Sequence, residues 1–361
     1  MLKEYGSVGP GVMNQVPGQT STRHQVRGAA LREDRFMKTT MLLAATAFAA
    51  LVASGAQAQT ILKYGHVGEP GSLFEATANE FARCVNDGSG GAAEVQVFGS
   101  SQLGSDQELL QKLKLGQVQF SLPSTVMSSV SDTFGVFEMP YIIQDRDHMR
   151  RVTEQMGDVF QEAAMAEGYR IAGWVENGFR NITNNVRPIH TPADLQDIKL
   201  RIPGGEWRLR MFQAYGANPS PLSFSEVFQA LQTGVMDGQE NPLAQIWSAK
   251  FGEVQKYLSM TGHVYTPGYI LTSEDQYQSW PDDVRAVVDE CAAATQDFAY
   301  ETAAQLDRDL VDKIVAQGPE LNEADKQAFI DGSVVIYEEF AAAVEGGQEL
   351  IDRIQALATG S

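Results

Sequence analysis

Apolar residues alternate with polar ones along short segments and recur every three to four positions along longer segments. Segments of the two kinds follow one another along the chain. Alternation is typical of β-strands, and the longer spacing is typical of amphipathic helices. The predicted strands are 61–67, 93–98, 118–122, 170–176, 199–202, 257–265 and 269–273. The predicted helices are 73–87, 106–115, 147–168, 206–215, 223–233 and 242–255, with a polar turn at 237–241. From residue 282 the pattern is helical to the end, apart from a break at 318–320. Interleaved strands and helices indicate an α/β protein with ligand sites at the carboxyl ends of the strands.

The first 58 residues do not share this pattern. Met37 and Lys38 precede a short apolar run, MLLAATAFAALVA, and then small residues that end at Ala58. This is the order of a secretory signal peptide with an A-x-A cleavage site. A membrane-spanning helix needs about 20 apolar residues, more than this run or any other segment offers. We expect cleavage after Ala58 and a periplasmic mature chain that is not embedded in the membrane, with residues 1–36 an upstream-start or non-native extension.

The chain is strongly acidic, with 27 basic and 46 acidic residues and a formal net charge of −19. Such a charge repels nucleic acids and anionic membranes, so neither is an expected partner. The part after residue 58 is long enough for two domains. An anionic ligand would need a local basic pocket, which directs attention to arginines in apolar surroundings.

Arg201 is the first such arginine, because it lies between Leu200 and Ile202 in a predicted strand. A buried guanidinium without a partner is costly, and its two-pronged donor geometry fits a carboxylate. A bound carboxylate ligand is therefore one interpretation. The alternatives are an internal salt bridge and a strand-end arginine that points to solvent.

The two cysteines, Cys84 and Cys291, lie in predicted helices, and either a disulfide or two buried free thiols would fit an exported protein. Neither a Cys/His cluster nor a phosphate-binding loop motif is present, so no metal and no cofactor is expected. The histidines of the mature part lack the spacing of metal ligands: His66, His148, His190 and His263.

Several short motifs follow one another over some two hundred residues. They are QLG at 102–104, GQVQF at 116–120, FEMPYI at 137–142, DLQDIKLRIP at 194–203, PLSFSEVFQALQTGVMDGQENP at 221–242 and Pro-Gly at 267–268. With these motifs the chain resembles the solute-binding proteins (DctP family) of the tripartite ATP-independent periplasmic (TRAP) transporters. The resemblance covers about 61–281 and, more loosely, the helical C-terminus.

The resemblance implies a two-lobed periplasmic-binding-protein fold with the ligand cleft between the lobes. Lobe one would comprise 59–178 plus 267–306, and lobe two 179–266 plus 307–361. A long C-terminal helix, 282–315, would brace both lobes, and a hinge motion would close them over the ligand.

The resemblance also implies site residues. Arg201 corresponds to the arginine that grips the ligand carboxylate, and Arg180 to a second family arginine. Asn241 would hydrogen-bond the same carboxylate, and Phe224 would pack on the apolar face of the ligand. Without the resemblance, Asn241 reads as a helix cap, Phe224 as a core aromatic and Arg180 as a surface strand residue. Gly204 stands where sialic-acid-binding relatives have an asparagine, which argues against sialic acid as the ligand.

The identity of the acid rests on neighbouring polar residues. Five more residues complete the predicted ligand-binding set: Glu69, Trp174, Glu176, Asn177 and Gln239; His66 is a further candidate. Acidic acceptors and an aromatic face suit sugar hydroxyls, which favours a uronate, an aldonate or a keto-sugar acid. A C4-dicarboxylate or a small 2-oxo or hydroxy acid is the alternative, since two arginines could serve two carboxylates. Glu69 and Glu176 would then oppose the second carboxylate.

Two other classes of function remain open. A periplasmic enzyme acting on acidic sugars would use Glu69 or Glu176 as general acid or base, yet paired carboxylates at catalytic spacing, a nucleophile elbow and a zinc motif are all missing from the sequence. A sensor would bind the same ligand and dock on a signalling receptor. We expect a non-enzymatic monomer that captures an organic acid and delivers it to the TRAP membrane permease.

Overall fold

The computed structural model describes residues 59–358. The predicted signal peptide and the extension before it lie outside the described residues. Within the described residues the strands are β1 Thr60–Gly65, β2 Ala93–Phe98, β3 Phe120–Ser121, β4 Tyr169–Asn184, β5 Lys199–Ile202, β6 Asn218–Pro221, β7 Gly238–Pro242, β8 Tyr257–Ser273 and β9 Glu320–Glu323. They form one sheet in the order β2-β1-β3-β8-β4-β7-β5-β6, with β9 paired to β8.

The sheet consists of two parallel groups joined by two long antiparallel strands. Strands β2, β1 and β3 are parallel at one end, and β7, β5 and β6 are parallel at the other. Between them β4 pairs with β8 over nearly its whole length, while β3 pairs with β8 and β7 pairs with β4 in antiparallel fashion. Both parallel groups are therefore connected through β4 and β8.

Helices cover the sheet. They are α1 Leu73–Gly88, α2 Asp106–Lys114, α3 Arg146–Ala166, α4 Glu206–Ala214, α5 Phe224–Gln232, α6 Leu243–Ser248, α7 Glu274–Ser279, α8 Asp282–Val315, α9 Lys326–Gly332, α10 Val334–Ala343 and α11 Gly347–Ala356. Short 3₁₀ helices lie at Thr125–Ser129, Asp132–Glu138, Pro192–Leu195 and Phe251–Val254. Among the described residues, no helix combines the length and the apolar character needed to span a bilayer.

The α/β prediction is confirmed, and several element boundaries need correction. The predicted polar turn at 237–241 is largely the buried strand β7. The two strands predicted near 257–265 and 269–273 are one continuous strand, β8. The helix predicted over 242–255 ends at Ser248 and is followed by a 3₁₀ helix. Strands β6 and β9 were not predicted.

Three hydrophobic cores hold the elements together. One of them packs α1 and the first half of α8 against β1 and β2. In this core Cys84 on α1 and Cys291 on α8 form a disulfide, which decides between the two alternatives left open by the sequence. The first half of the long helix α8 is thus covalently tied to α1.

Candidate ligand-binding cavity

A small cavity of about 30 Å³ lies where the carboxyl ends of strands from both parallel groups meet the middle of β4. Its wall includes segments that follow β1, β3 and β5, together with residues of β4 and β7 and of helices α1, α2, α5 and α6. Carboxyl ends of parallel strands are the usual place for ligands in α/β sheets. Five predicted site residues line this wall: Asn177, Arg180, Arg201, Phe224 and Asn241.

Arg201 on β5 is almost fully buried, with 3% of its surface exposed. Its Nε and Nη2 atoms donate to the carbonyl oxygen of Leu222 at 2.9 and 2.6 Å. No carboxylate among the described residues forms an ion pair with it, and its hydrogen bonds to described residues all go to Leu222, while Arg201 itself lines the cavity. Burial, and next the charge of Arg180, lower the Arg201 pKa to about 9, so the side chain remains cationic at neutral pH.

Arg180 on β4 is held differently, because it already has a carboxylate partner. Its Nε and Nη2 atoms donate to the Glu240 carboxylate at 2.5 and 3.1 Å, and Nη2 also donates to the Asn241 side-chain oxygen at 3.0 Å. Burial lowers the Arg180 pKa, and the adjacent Glu240 opposes that shift. Arg180 therefore lies at the cavity wall as part of a preformed ion pair.

Glu240 is the centre of a buried charge network. Besides Arg180 it accepts from Nη1 of Arg208 on α4 at 2.7 Å and contacts Nε2 of His263 at 3.2 Å. Arg208 also lies 2.7 Å from the carboxylate of Glu138. Burial disfavours the ionised form of Glu240, but the two guanidiniums hold its pKa well below the usual range.

The charges of this buried region do not balance. Three guanidiniums, on Arg180, Arg201 and Arg208, face the two buried carboxylates of Glu138 and Glu240. The carboxyl group of Asp106 also interacts with Arg201, but burial raises its pKa to about 7, so it offsets the excess only in part at neutral pH. Burial raises the pKa of Glu138, which can only increase the positive excess. Buried charges are stable when paired, so the region is complementary to one additional anion. Arg201 carries the excess charge and lines the cavity.

Asn241 and Gln239 lie two residues apart on β7 and have different roles. The side-chain amide of Asn241 accepts from Arg180 and donates one N–H to Gln239 Oε1 at 2.6 Å, so its second N–H remains available to the cavity. Gln239 in turn donates to Thr183 at 2.9 Å. Gln239, although predicted as a ligand contact, thus orients Asn241 from behind the wall.

Phe224 begins α5, and its ring lies 6.0 Å from the Arg201 guanidinium carbon. The other face of this residue borders a separate surface groove that also includes Glu69. Glu69 was expected in the ligand cleft and lies in that groove instead, because the loop after β1 places Val67 at the cavity wall. The neighbouring His66 is buried beside Gly99.

Trp174 and Glu176 on β4 also differ from expectation. Trp174 packs in an aromatic cluster, with ring centroids 5.6 Å from Phe160 and 5.0 Å from Tyr269. The Glu176 carboxylate accepts hydrogen bonds from Nε of Arg146 at 3.0 and 2.7 Å and from its Nη2 at 2.6 Å. Neither residue is part of the cavity wall. The β-bulge between residues 176 and 178 places the later Arg180 on the same side as Asn177, and not on the side of Glu176.

Sequence reasoning missed four polar wall residues, Asp106, Ser124, Thr125 and Gln245. Asp106 begins α2 directly after the QLG motif, and burial raises its pKa to about 7 although Arg201 opposes this. Thr125 follows β3, and Gln245 lies on α6 just after β7. Their common signal was a position shortly after a strand of the parallel groups or at the start of the next helix.

An arginine-lined cavity at the strand ends of a two-part α/β sheet is the architecture of a protein that binds a small anionic molecule. The chain belongs to family 7 of the bacterial extracellular solute-binding proteins, whose profile matches residues 64–343. It is 31% identical to the sialic acid-binding periplasmic protein of Vibrio cholerae over 324 residues, which cover 89% of this chain and all of that protein.

Similar solved structures are also periplasmic solute-binding proteins. A TRAP periplasmic solute-binding protein from Polaromonas sp. JS666, bound to D-erythronate, superposes with a TM-score of 0.80 at 30% identity, covering 84% of this chain and 100% of that one. One from Sulfurospirillum deleyianum with bound succinate gives a TM-score of 0.79 at 31% identity, covering 83% and 99%. The family resemblance and the two-lobed fold are thereby confirmed, while the lobe boundaries stay a prediction.

Proposed function

We propose that this chain is the periplasmic solute-binding protein of a TRAP transporter and that it captures a sugar acid, such as a uronate, an aldonate or a keto-sugar acid. The supporting observation is Arg201, a buried guanidinium at a cavity wall with no carboxylate partner among the described residues. A ligand carboxylate would complete its hydrogen bonds and neutralise the excess charge of the buried network.

The ligand carboxylate would bind between Arg201 and Asn241. It would accept from the remaining N–H groups of Arg201 and from the second amide N–H of Asn241, whose first N–H is held by Gln239. Phe224 would cover the apolar face of the ligand. Arg180 would act mainly by holding Asn241 in place and by adding positive charge, because Glu240 already occupies its donor groups.

The alternative ligand is a C4-dicarboxylate or a small 2-oxo or hydroxy acid, and succinate is bound by one of the similar structures. A second carboxylate would need a second free guanidinium, but Arg180 is paired with Glu240. The repulsion expected from Glu69 and Glu176 does not contribute to the choice, because neither lines the cavity. Gly204, in place of the asparagine of sialic-acid binders, continues to argue against sialic acid.

Delivery would follow from closure of the two lobes about β4 and β8, the strands that connect both parallel groups. The lobes would be 59–178 plus 267–306 and 179–266 plus 307–361. The closed monomer would dock on the membrane permease in the periplasm. An enzymatic role lacks support, because neither Glu69 nor Glu176, each suggested as a general acid or base, lines the cavity. Glu69 lies in the separate surface groove, and Glu176 is paired with Arg146.

The test is calorimetric titration of the purified chain with uronates, aldonates, C4-dicarboxylates and 2-oxo acids, repeated with Arg201→Lys. Lysine keeps the charge but loses the planar fork, so affinity should fall by tenfold or more, given about 1.5–3 kcal/mol for a hydrogen bond to a charged group. Arg187→Lys is the matched control, because Arg187 also donates to backbone carbonyls but lies outside the cavity wall. Equal affinities in the two variants would contradict the proposal.

A further inference from the structure

Three buried oxygens in the cavity wall lack a hydrogen-bond partner among the described residues. They are Oγ1 of Thr125, Oδ1 of Asn177 and Oε1 of Gln245. The three residues are only 4%, 6% and 3% exposed. Buried polar atoms are nearly always hydrogen-bonded, and an unsatisfied one is destabilising. Three such oxygens around one cavity therefore point to groups of a ligand.

The three oxygens come from different parts of the wall. Thr125 begins the 3₁₀ helix that follows β3, Asn177 lies at the bulge of β4, and Gln245 lies on α6. The amide nitrogen of Asn177 donates to the Ser124 hydroxyl at 3.0 Å, which directs the amide oxygen away from Ser124. The arrangement can therefore contact one ligand at three separate points.

The chemistry of these oxygens identifies what they can bind. An amide oxygen only accepts hydrogen bonds, and a threonine hydroxyl can both accept and donate. We propose that Thr125, Asn177 and Gln245 bind three hydroxyl groups of the ligand, so that the site selects a polyhydroxy monocarboxylic acid over a dicarboxylate. This inference rests on the proposed function, which places the carboxylate of the acid at Arg201.

A dicarboxylate would fit this wall poorly. An ionised carboxylate has no hydrogen to donate, so its second carboxylate would leave the amide oxygens of Asn177 and Gln245 unsatisfied. It would also lie in a cavity that contains the carboxyl group of Asp106. Both effects favour ligands whose remaining oxygens are hydroxyls.

The test compares four-carbon acids of the same chain length by calorimetry on the full chain. D-Erythronate carries three hydroxyls, succinate a second carboxylate, and butyrate neither; D-glucuronate is included as a longer hydroxylated acid. The variants are Thr125→Val and Gln245→Met, which remove one oxygen each at similar size. Thr272→Val is the control, because Thr272 also has a buried hydroxyl without a partner among the described residues but lies outside the cavity wall.

We expect a hydroxylated acid to bind at least about a hundredfold more tightly than succinate and butyrate. Each cavity variant should weaken that binding by about tenfold, the typical contribution of one hydrogen bond, and the control should leave it unchanged. Tighter binding of succinate, or unchanged binding of the hydroxylated acid in both cavity variants, would overturn the inference while acid binding at Arg201 stands. Failure of every acid to bind would overturn the proposed function as well.

Discussion

Replacing Arg201 by methionine should stabilise the ligand-free protein while it removes ligand binding. Methionine is unbranched, flexible and uncharged, so it suits a site that is 3% exposed even though it is shorter than arginine. Burial and the neighbouring Arg180 lower the Arg201 pKa from its ordinary 12.5 to about 9. One pKa unit corresponds to about 1.4 kcal/mol, so the folded, ligand-free state carries the charge at a cost on the order of 5 kcal/mol.

The substitution also removes stabilising contacts. Two hydrogen bonds to the Leu222 carbonyl are lost, and a buried carbonyl left without a partner costs about 1–3 kcal/mol. The relief of the buried charge is the larger effect. The free energy of unfolding of the ligand-free protein should therefore rise by about 2 kcal/mol. Such a gain would mean that Arg201 is kept for the ligand at the expense of stability.

The assay is urea unfolding at pH 7 after the protein has been unfolded and refolded to remove bound ligand. Arg187→Met is the control, since Arg187 donates to the carbonyls of Asp194 and Gln196 in a more exposed setting. The free energy of unfolding of this control should stay unchanged or fall by up to about 1 kcal/mol. A loss of stability in Arg201→Met that equals or exceeds the loss in the control would refute the reasoning, because the guanidinium would then stabilise the fold without a ligand.

Two further predictions concern stability away from the cavity. The disulfide between Cys84 and Cys291 spans 207 residues, for which loop-closure entropy predicts a stabilisation of about 5 kcal/mol. The double serine variant should lose much of this in urea unfolding but keep its ligand affinity, and an unchanged urea midpoint would contradict the prediction. Burial raises the pKa of Glu176 to about 7, although Arg146 opposes the shift. The protonated form is therefore favoured by folding, so its contribution is complete below about pH 4.5 and is lost as the pH rises through 7, up to about 3 kcal/mol. The free energy of unfolding of the wild type should therefore fall between pH 5 and pH 8. The same fall in Glu176→Gln would disprove this origin.

Strands whose sequences alternate between polar and apolar residues were predictable from the sequence. The strand predictions at 93–98 and 199–202 match β2 and β5 residue for residue. Strand β6 was missed because its sequence, NPSP, contains two prolines and no apolar alternation. Strand β7 was taken for a turn because its residues are polar, whereas all of them are buried. The hydrophobic pattern cannot identify a strand whose polar groups are satisfied inside the protein.

The site was predictable only in part, for a reason visible in β4. Regular alternation would place residues 176, 178 and 180 on one face. The bulge between Glu176 and Gly178 shifts the register, so that Asn177 and Arg180 line the cavity and Glu176 turns toward Arg146. Gly178, with a φ of 117°, marks the bulge. A lone glycine in a sequence does not show how the register shifts, so the ligand-facing side of β4 could not be read from its spacing.

The polar interior of β7 also explains how the cavity can be rigid before a ligand arrives. Glu240 would be strongly destabilising there without the guanidiniums of Arg180 and Arg208, which pair with it. The same contacts fix Arg180, which in turn holds the amide of Asn241 in one orientation. A ligand that meets preset donors loses less of its binding energy to the ordering of side chains. The buried ion pairs therefore serve binding by positioning the groups that meet the ligand, while the uncompensated charge of Arg201 supplies the attraction.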